Sequence, residues 1–326
     1  VASAAAFSVA PALRPVSRAA ISARHSPLAL TMVAQGPAAD SGIDRRAALS
    51  RAAVAAAGLA AATFAVPVIA LADSAGKKIV VAGATGQTGR RILERLAATP
   101  GLNVIGGVRN IEKAAKDLST SSTVVRGAMV QKVAAIDTAA VELRGLDVVV
   151  DSVDALAETM AGAESLVIAT GFVPGNPFQM TAAAHAVDNV GTIKLIDAAK
   201  KAGVKKIVMV SSILTNGRAW GQEKSAGFVI TNAFGQVLDE KLVAENYLKA
   251  SGLDYTIVRP GGLKAKPPTG ALLVSKEDSL NSGEISRDLV ADVAVACLSD
   301  PKVKNMVLEI IEDTGAPPKV FNGLTM

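Results

Sequence analysis

The sequence predicts an α/β fold, a doubly wound parallel sheet, and three observations carry that expectation. Ile79-Val80-Val81-Ala82 is a short apolar, β-branched run that passes directly into Gly83-Ala84-Thr85-Gly86-Gln87-Thr88-Gly89. Arg90-Arg91-Ile92-Leu93-Glu94-Arg95-Leu96 then follows with helical character. From Lys77 onward such short runs alternate with helical stretches, as a parallel sheet covered by crossover helices requires.

Taken in order, strand one is Ile79–Ala82, and its helix runs from Gln87 to Ala98, where Thr99-Pro100-Gly101 stops it. Strand two is Asn103–Val108 and ends in Arg109-Asn110. Residues 111–145 hold helical material and a polar cluster, Ser119 to Thr123. Strand three is expected at Leu146–Val150, with Asp151-Ser152 leading into a short helix near Ala155–Met160. Strand four is Ser165–Ala169, followed by the loop Thr170 to Pro177. A long helix spans Met180 to Ala202, with Gly203 just past its end. Strand five, Lys206–Val210, ends in Ser211-Ser212, and a helix from Gln236 to Ala250 stops at Gly252. Strand six, Tyr255–Val258, ends in Arg259-Pro260-Gly261-Gly262. The remainder, with a helix over Ile285–Leu298 and a strand over Met306–Ile311, reads as a small C-terminal substrate lobe.

Composition narrows the function. Residues 1–72 hold six arginines (14, 18, 24, 45, 46 and 51) and two acids, Asp40 and Asp44, so the chain's 34 basic and 29 acidic residues fall to 28 and 27 over 73–326. The body is nearly neutral, and only 3% of residues are aromatic, which argues against a nucleic-acid partner. The single cysteine, Cys297, lies in an apolar helical run and reads as a core thiol. Two histidines, His25 and His185, cannot build a histidine-rich site, so no metal is expected.

Residues 1–72 read as a targeting leader and 73–326 as the folded body. The leader is rich in Ala, Ser and Arg, a transit-peptide composition. Val1-Ala2-Ser3-Ala4-Ala5-Ala6-Phe7 resembles the Ala-Ser-Ala-Phe processing motif of complex plastids, and 8–32 is an acid-free Arg/Ser-rich stretch. Asp44-Arg45-Arg46 precedes the uncharged Ala52–Ala72 segment ending Ala70-Leu71-Ala72, which resembles a twin-arginine thylakoid signal. The expected location is the chloroplast, reaching the thylakoid lumen if that signal acts. Cleavage after Ala72 would leave no stable membrane span; an uncleaved anchor is the competing reading.

The glycine-rich turn carries the chemistry. Gly83, Gly86 and Gly89 let backbone approach a pyrophosphate, while the N–H groups of Thr85, Gln87 and Thr88 lie at the start of a helix whose dipole attracts anions. Arg109 stands where a coenzyme lacking a 2′-phosphate would usually meet Asp or Glu, so NADP is the expected cofactor. Asp151 either accepts from the adenine amino group or caps the following helix. Ala169-Thr170-Gly171 is expected to pass the nicotinamide-side ribose.

These blocks resemble the atypical short-chain dehydrogenase/reductases, in particular plant and algal chloroplast NAD(P)-binding proteins related to biliverdin reductase B/flavin reductase and the NmrA-like proteins. Matching residues are Val81–Gly89, Ala169-Thr170-Gly171-Phe172, Val187–Thr192, Val210–Leu214, Lys241–Glu245, Tyr255–Leu263 and Ile285–Asp288. The resemblance implies a Rossmann domain that binds NADP, with Lys241 on ribose hydroxyls and Ser211 or Ser212 orienting an acceptor or a water. One departure matters. The tyrosine expected four residues before the lysine is replaced by Val237, and Tyr247 lies on another face of the helix. A standard ketone or alcohol dehydrogenase is therefore disfavoured. Two functions stay open: an NADPH-dependent reductase of a planar conjugated small molecule, and a non-catalytic NADP(H)-sensing module docking to a thylakoid protein partner.

Overall fold

The computed structural model describes residues 76–318, apart from 121, 127–128, 134 and 138–139, together with Leu324; of 122–126 and 129–133 it describes the backbone alone. The leader expected over 1–72 lies outside the described residues.

The apolar run near residue 80 forms β1 (Lys78–Ala82), and the glycine turn delivers the chain into α1 (Gln87–Ala97). After β2 (Asn103–Val108) comes α2 (Ile111–Ser119), whose first turn is capped by Asn110 Oδ1 accepting the Lys113 N–H at 2.7 Å. The polar cluster that follows opens a two-stranded antiparallel pair, β3 (Ser122–Arg126) and β4 (Met129–Val133). Then come β5 (Val141–Gly145), α3 (Val153–Thr159) and β6 (Ser165–Ile168). The long helix is compound: α4 (Met180–Ala184) passes through a π-helical stretch (His185–Gly191) into α5 (Thr192–Lys201). Next are β7 (Lys206–Val210), α6 (Ala226–Asn232), α7 (Val237–Ala250) and β8 (Asp254–Pro260). The chain ends with β9 (Gly262–Lys264), β10 (Ala271–Lys276), β11 (Glu284–Ser286), α8 (Arg287–Ser299) and β12 (Met306–Asp313).

Eight strands form one sheet in the order β10-β12-β8-β7-β6-β1-β2-β5, parallel except for β10. Strands buried on both faces alternate their side chains between two cores. Ile79 and Val81 join Ile92, Leu96, Leu289 and Val293 of α1 and α8; Val80 and Ala82 join Leu156, Leu195, Ile196 and Leu248 of α3, α5 and α7. Cys297 is wholly buried in the first core, where burial pushes its thiol up to about 12. That agrees with the reading of an inert core residue.

Two expectations need correction. Strand three is Val141–Gly145, not Leu146–Val150; the latter forms a turn in which Asp147 Oδ1 accepts the Val149 N–H at 2.9 Å and Asp151 Oδ2 accepts the Asp147 N–H at 2.7 Å. These carboxylate-to-backbone bonds override the β-branched composition. The C-terminal helix and late strand do not stand apart, because α8 roofs the first core and β12 enters the main sheet between β8 and β10. The lobe beyond the strand ends is correspondingly small. It comprises the β9–β11 pair and α6, with Ile213, Leu214, Phe228 and Leu238 as its own core.

Glu312 fastens that lobe to the sheet. Its carboxylate accepts the N–H groups of Thr269 (2.8 Å), Gly270 (2.9 Å) and Ser286 (2.6 Å) and pairs with Lys264 Nζ at 3.0 Å. Burial alone would raise its pKa, but the backbone donors and Lys264 outweigh it and hold the carboxyl at about 2. A folded-state value below the unfolded one contributes stability that is present above about pH 4.5 and lost as pH falls towards 2. Glu312→Gln should therefore show a shallower loss of stability over that interval, read from unfolding midpoints measured across pH.

Candidate functional site

The sheet order reverses between β1 and β6, so a crevice opens at their carboxyl ends, where ligands settle in open α/β sheets. The glycine turn fills one wall. A Cβ at Gly89 would lie 2.1 Å from the Gly83 carbonyl oxygen, and one at Gly83 (φ +81°) would lie 2.8 Å from that of Ala169. The turn thus rests directly on the end of β6. Thr85 and Gly86 are exposed and Thr88 is buried, while Gly86 caps α1 with no side-chain bond at that end. The first N–H groups of α1 carry no side-chain cap, the arrangement that suits an anion at a helix start.

Arg109 projects from the end of β2, exposed and with no ion pair or hydrogen bond among the described residues. Asp151 is engaged in the turn already described, and Lys194 Nζ donates to its carbonyl at 2.7 Å. The cap of α3 is Ser152, whose Oγ accepts the Ala155 N–H at 3.2 Å, so the capping alternative for Asp151 is set aside. Beyond β6, the Thr170 Oγ1 atom is buried with no hydrogen-bond partner. A buried hydroxyl left unsatisfied at a strand end fits a missing ribose or phosphate partner. Together with a cradle that one methyl would fill, it makes the crevice suited to a dinucleotide.

On the far side, Lys241 of α7 meets Asp188 of the π-helical stretch, Nζ to Oδ1 at 2.8 Å, with the carboxylate wholly buried. Asp188 Oδ2 also accepts the Phe172 N–H at 3.0 Å. Beside them Glu240 Oε2 accepts from Asn189 Nδ2 at 2.7 Å and lies 3.0 Å from His185 Nδ1. Val237 occupies the first turn of α7, and Tyr247 donates to Asp197 at 2.6 Å on an exposed face, so neither position sets a phenol beside Lys241.

Ser211 turns inward. Its hydroxyl donates to Glu245, which is fully buried and paired with the equally buried Arg259 at 2.6 Å. The expectation that Ser211 orients an acceptor is corrected on that ground: its proton is committed to a carboxylate. Ser212 is more exposed, with Oγ 3.0 Å from the Ile213 carbonyl. Leu214 just beyond it adopts φ +68°, an outlier for a bulky residue, in the loop that follows β7. Among the described residues no cluster of three or more His, Cys, Asp or Glu is placed to hold a metal, and no helix is long and apolar enough to cross a membrane.

The fold and this crevice define a nicotinamide-dinucleotide-binding protein of the atypical short-chain dehydrogenase/reductase type. The NAD(P)H-binding family model matches residues 128–301, and the chain belongs to that family. It is 43% identical over 253 residues to the uncharacterized chloroplastic protein At2g34460 of Arabidopsis thaliana, covering 76% of this chain and 81% of that one. It is 38% identical over 145 residues to the sanguinarine reductase of Eschscholzia californica, 42% of this chain and 50% of that one. The oxidoreductase ylbE from Lactococcus lactis shares the fold, with a TM-score of 0.58 at 23% identity over 73% of this chain and 92% of that one. The chloroplastic relative supports a plastid location.

Proposed function

We propose that the chain is a plastid NADPH-dependent reductase of a planar conjugated acceptor, such as a quinone, a flavin or a pigment-related molecule. The observation that carries the reading is Lys241 held by Asp188 with Val237 where a proton-donating phenol would stand. A site without that acid suits acceptors that take their proton from water. A bound nicotinamide supplies hydride. The glycine turn and the start of α1 hold the pyrophosphate, Arg109 the 2′-phosphate, and Thr170 and Lys241 the nicotinamide-side ribose. Ser212 lines the acceptor side. Phe178, 97% exposed, and the exposed Val173, Ile230 and Phe234 put apolar side chains on the segments that follow β6 and β7, apt for a flat aromatic molecule. The kinship with a sanguinarine reductase supports a reductase. On this reading residues 1–72 address the plastid, with 44–72 a twin-arginine signal to the lumen.

The test is to mix the protein with NADPH and a panel of quinones and flavins and follow coenzyme oxidation. Turnover is expected. Tight binding without oxidation would favour the second reading, a coenzyme-sensing module that docks to a thylakoid protein, to which the missing phenol also lends itself. The coenzyme choice has its own check. Arg109→Ala removes charge-assisted bonds to the 2′-phosphate and should weaken NADPH by about tenfold or more, with NADH changed by less than about twofold. Calorimetric titration reads both, and equal loss would remove NADP as the preferred form.

A further inference from the structure

We propose that Asp188 is the positioning residue for the nicotinamide end of the coenzyme, one buried carboxylate that sets both the Lys241 ammonium and the loop leaving β6. The proposal rests on the coenzyme reading above. Three observations meet at this side chain. Oδ1 lies 2.8 Å from Lys241 Nζ, and Oδ2 accepts the Phe172 N–H at 3.0 Å, in the loop whose Thr170 Oγ1 is buried and unsatisfied. The third is the π-helical stretch itself. Successive α-helical residues point about 100° apart, yet Asp188 and Asn189 both reach α7, at the adjacent residues Lys241 and Glu240. The widened turn brings the two side chains onto one partner, a feature that π-bulges commonly serve at functional sites.

The consequence for Lys241 is chemical. In the Tyr-x-x-x-Lys arrangement the lysine cation acts on a phenol; here Asp188 neutralises it. Asp188 holds the ammonium by charge rather than through an aligned hydrogen bond, so Lys241 keeps its donors for ribose hydroxyls while its position is fixed. Asp188 touches no coenzyme atom in this scheme. It acts through Lys241 and through the backbone of Phe172.

The experiment compares two ligands on the full chain by calorimetry: NADPH, and 2′,5′-ADP, which lacks the nicotinamide riboside. Asp188→Asn is expected to weaken NADPH about tenfold or more while leaving 2′,5′-ADP within about twofold. Lys241→Met should behave alike, and the double variant should bind no more weakly than the worse single one, as residues acting as a unit do. The double variant also guards against misfolding, since removing both charges leaves no unpaired buried ion. Equal loss for both ligands, additive losses, or an unchanged NADPH affinity in Asp188→Asn would overturn the proposal alone. A wild-type protein that binds neither ligand would overturn the coenzyme reading and this inference with it.

Discussion

Gly89→Ala is expected to cut NADPH affinity by about tenfold to a hundredfold. The added Cβ would stand 2.1 Å from the Gly83 carbonyl oxygen and 2.9 Å from its carbon. The obstacle is backbone, so no side-chain rotation relieves it. Gly83 cannot retreat either, because it sits at φ +81° against the Ala169 carbonyl and its own oxygen accepts the Gly86 N–H at 2.9 Å. Overpacking of this kind costs about 1–3 kcal/mol and is relieved by shifting the elements that collide. Here those elements are β1's exit and the first turn of α1, whose N–H groups hold the pyrophosphate in the proposed coenzyme site. Gly145→Ala is the control, since a Cβ there meets nothing within 4 Å. Fluorescence titration with NADPH and a melting curve separate lost binding from lost folding. Unchanged affinity in Gly89→Ala would remove this turn as the phosphate site.

The same turn explains what could be read from the chain before its structure. β1, β7 and β8 are central strands buried on both faces, and their apolar runs state that directly. The glycine spacing is legible for a related reason: its steric demands are local. β5 is not, because it lies at the sheet edge and Val-Glu-Leu-Arg-Gly mixes exposed and buried positions. The β-branched run after it was the more persuasive strand by composition, yet Val150 is 76% exposed there. Asp147 and Asp151 turn the backbone instead, an effect that composition alone does not weigh. At the site, Lys241 stands in a readable motif but Asp188 does not. Its inward aim depends on a π-turn that shifts the helix phase, and a pattern read at 3.6 residues per turn cannot register that shift. Ser211 differs again: its place at a strand end is legible, whereas its partner Glu245 comes from a helix 34 residues further along.

Arg259→Met is expected to destabilise the protein by about 3–5 kcal/mol, a large share of the roughly 5–15 kcal/mol that holds a domain folded. The guanidinium is fully buried and serves four carboxylates: Glu245 at 2.6 Å, Asp278 at 2.8 Å, Glu277 at 3.1 Å and Glu309 at 3.3 Å. Burial alone would lower its pKa, but the bonds and charges of Glu245, Asp278 and Glu277 outweigh it and raise the value, so the cation is secure. Glu245 and Glu309 are themselves wholly buried, and removing their shared cation leaves two anions without a counter-ion. The damage would reach the acceptor side of the crevice. Glu245 also receives the hydroxyls of Ser211 and Thr215, and Glu309 receives the N–H groups of Asp278, Ser279 and Leu280. Arg259→Lys keeps the charge but loses the planar fork, so it should recover only part of the stability. Lys201→Met, which breaks an exposed pair with Asp154, should change it by less than about 1 kcal/mol. Urea unfolding of the three variants gives the ranking. If Arg259→Met unfolds at the wild-type midpoint, the buried ion network does not hold the loops after β7 and β10 in place.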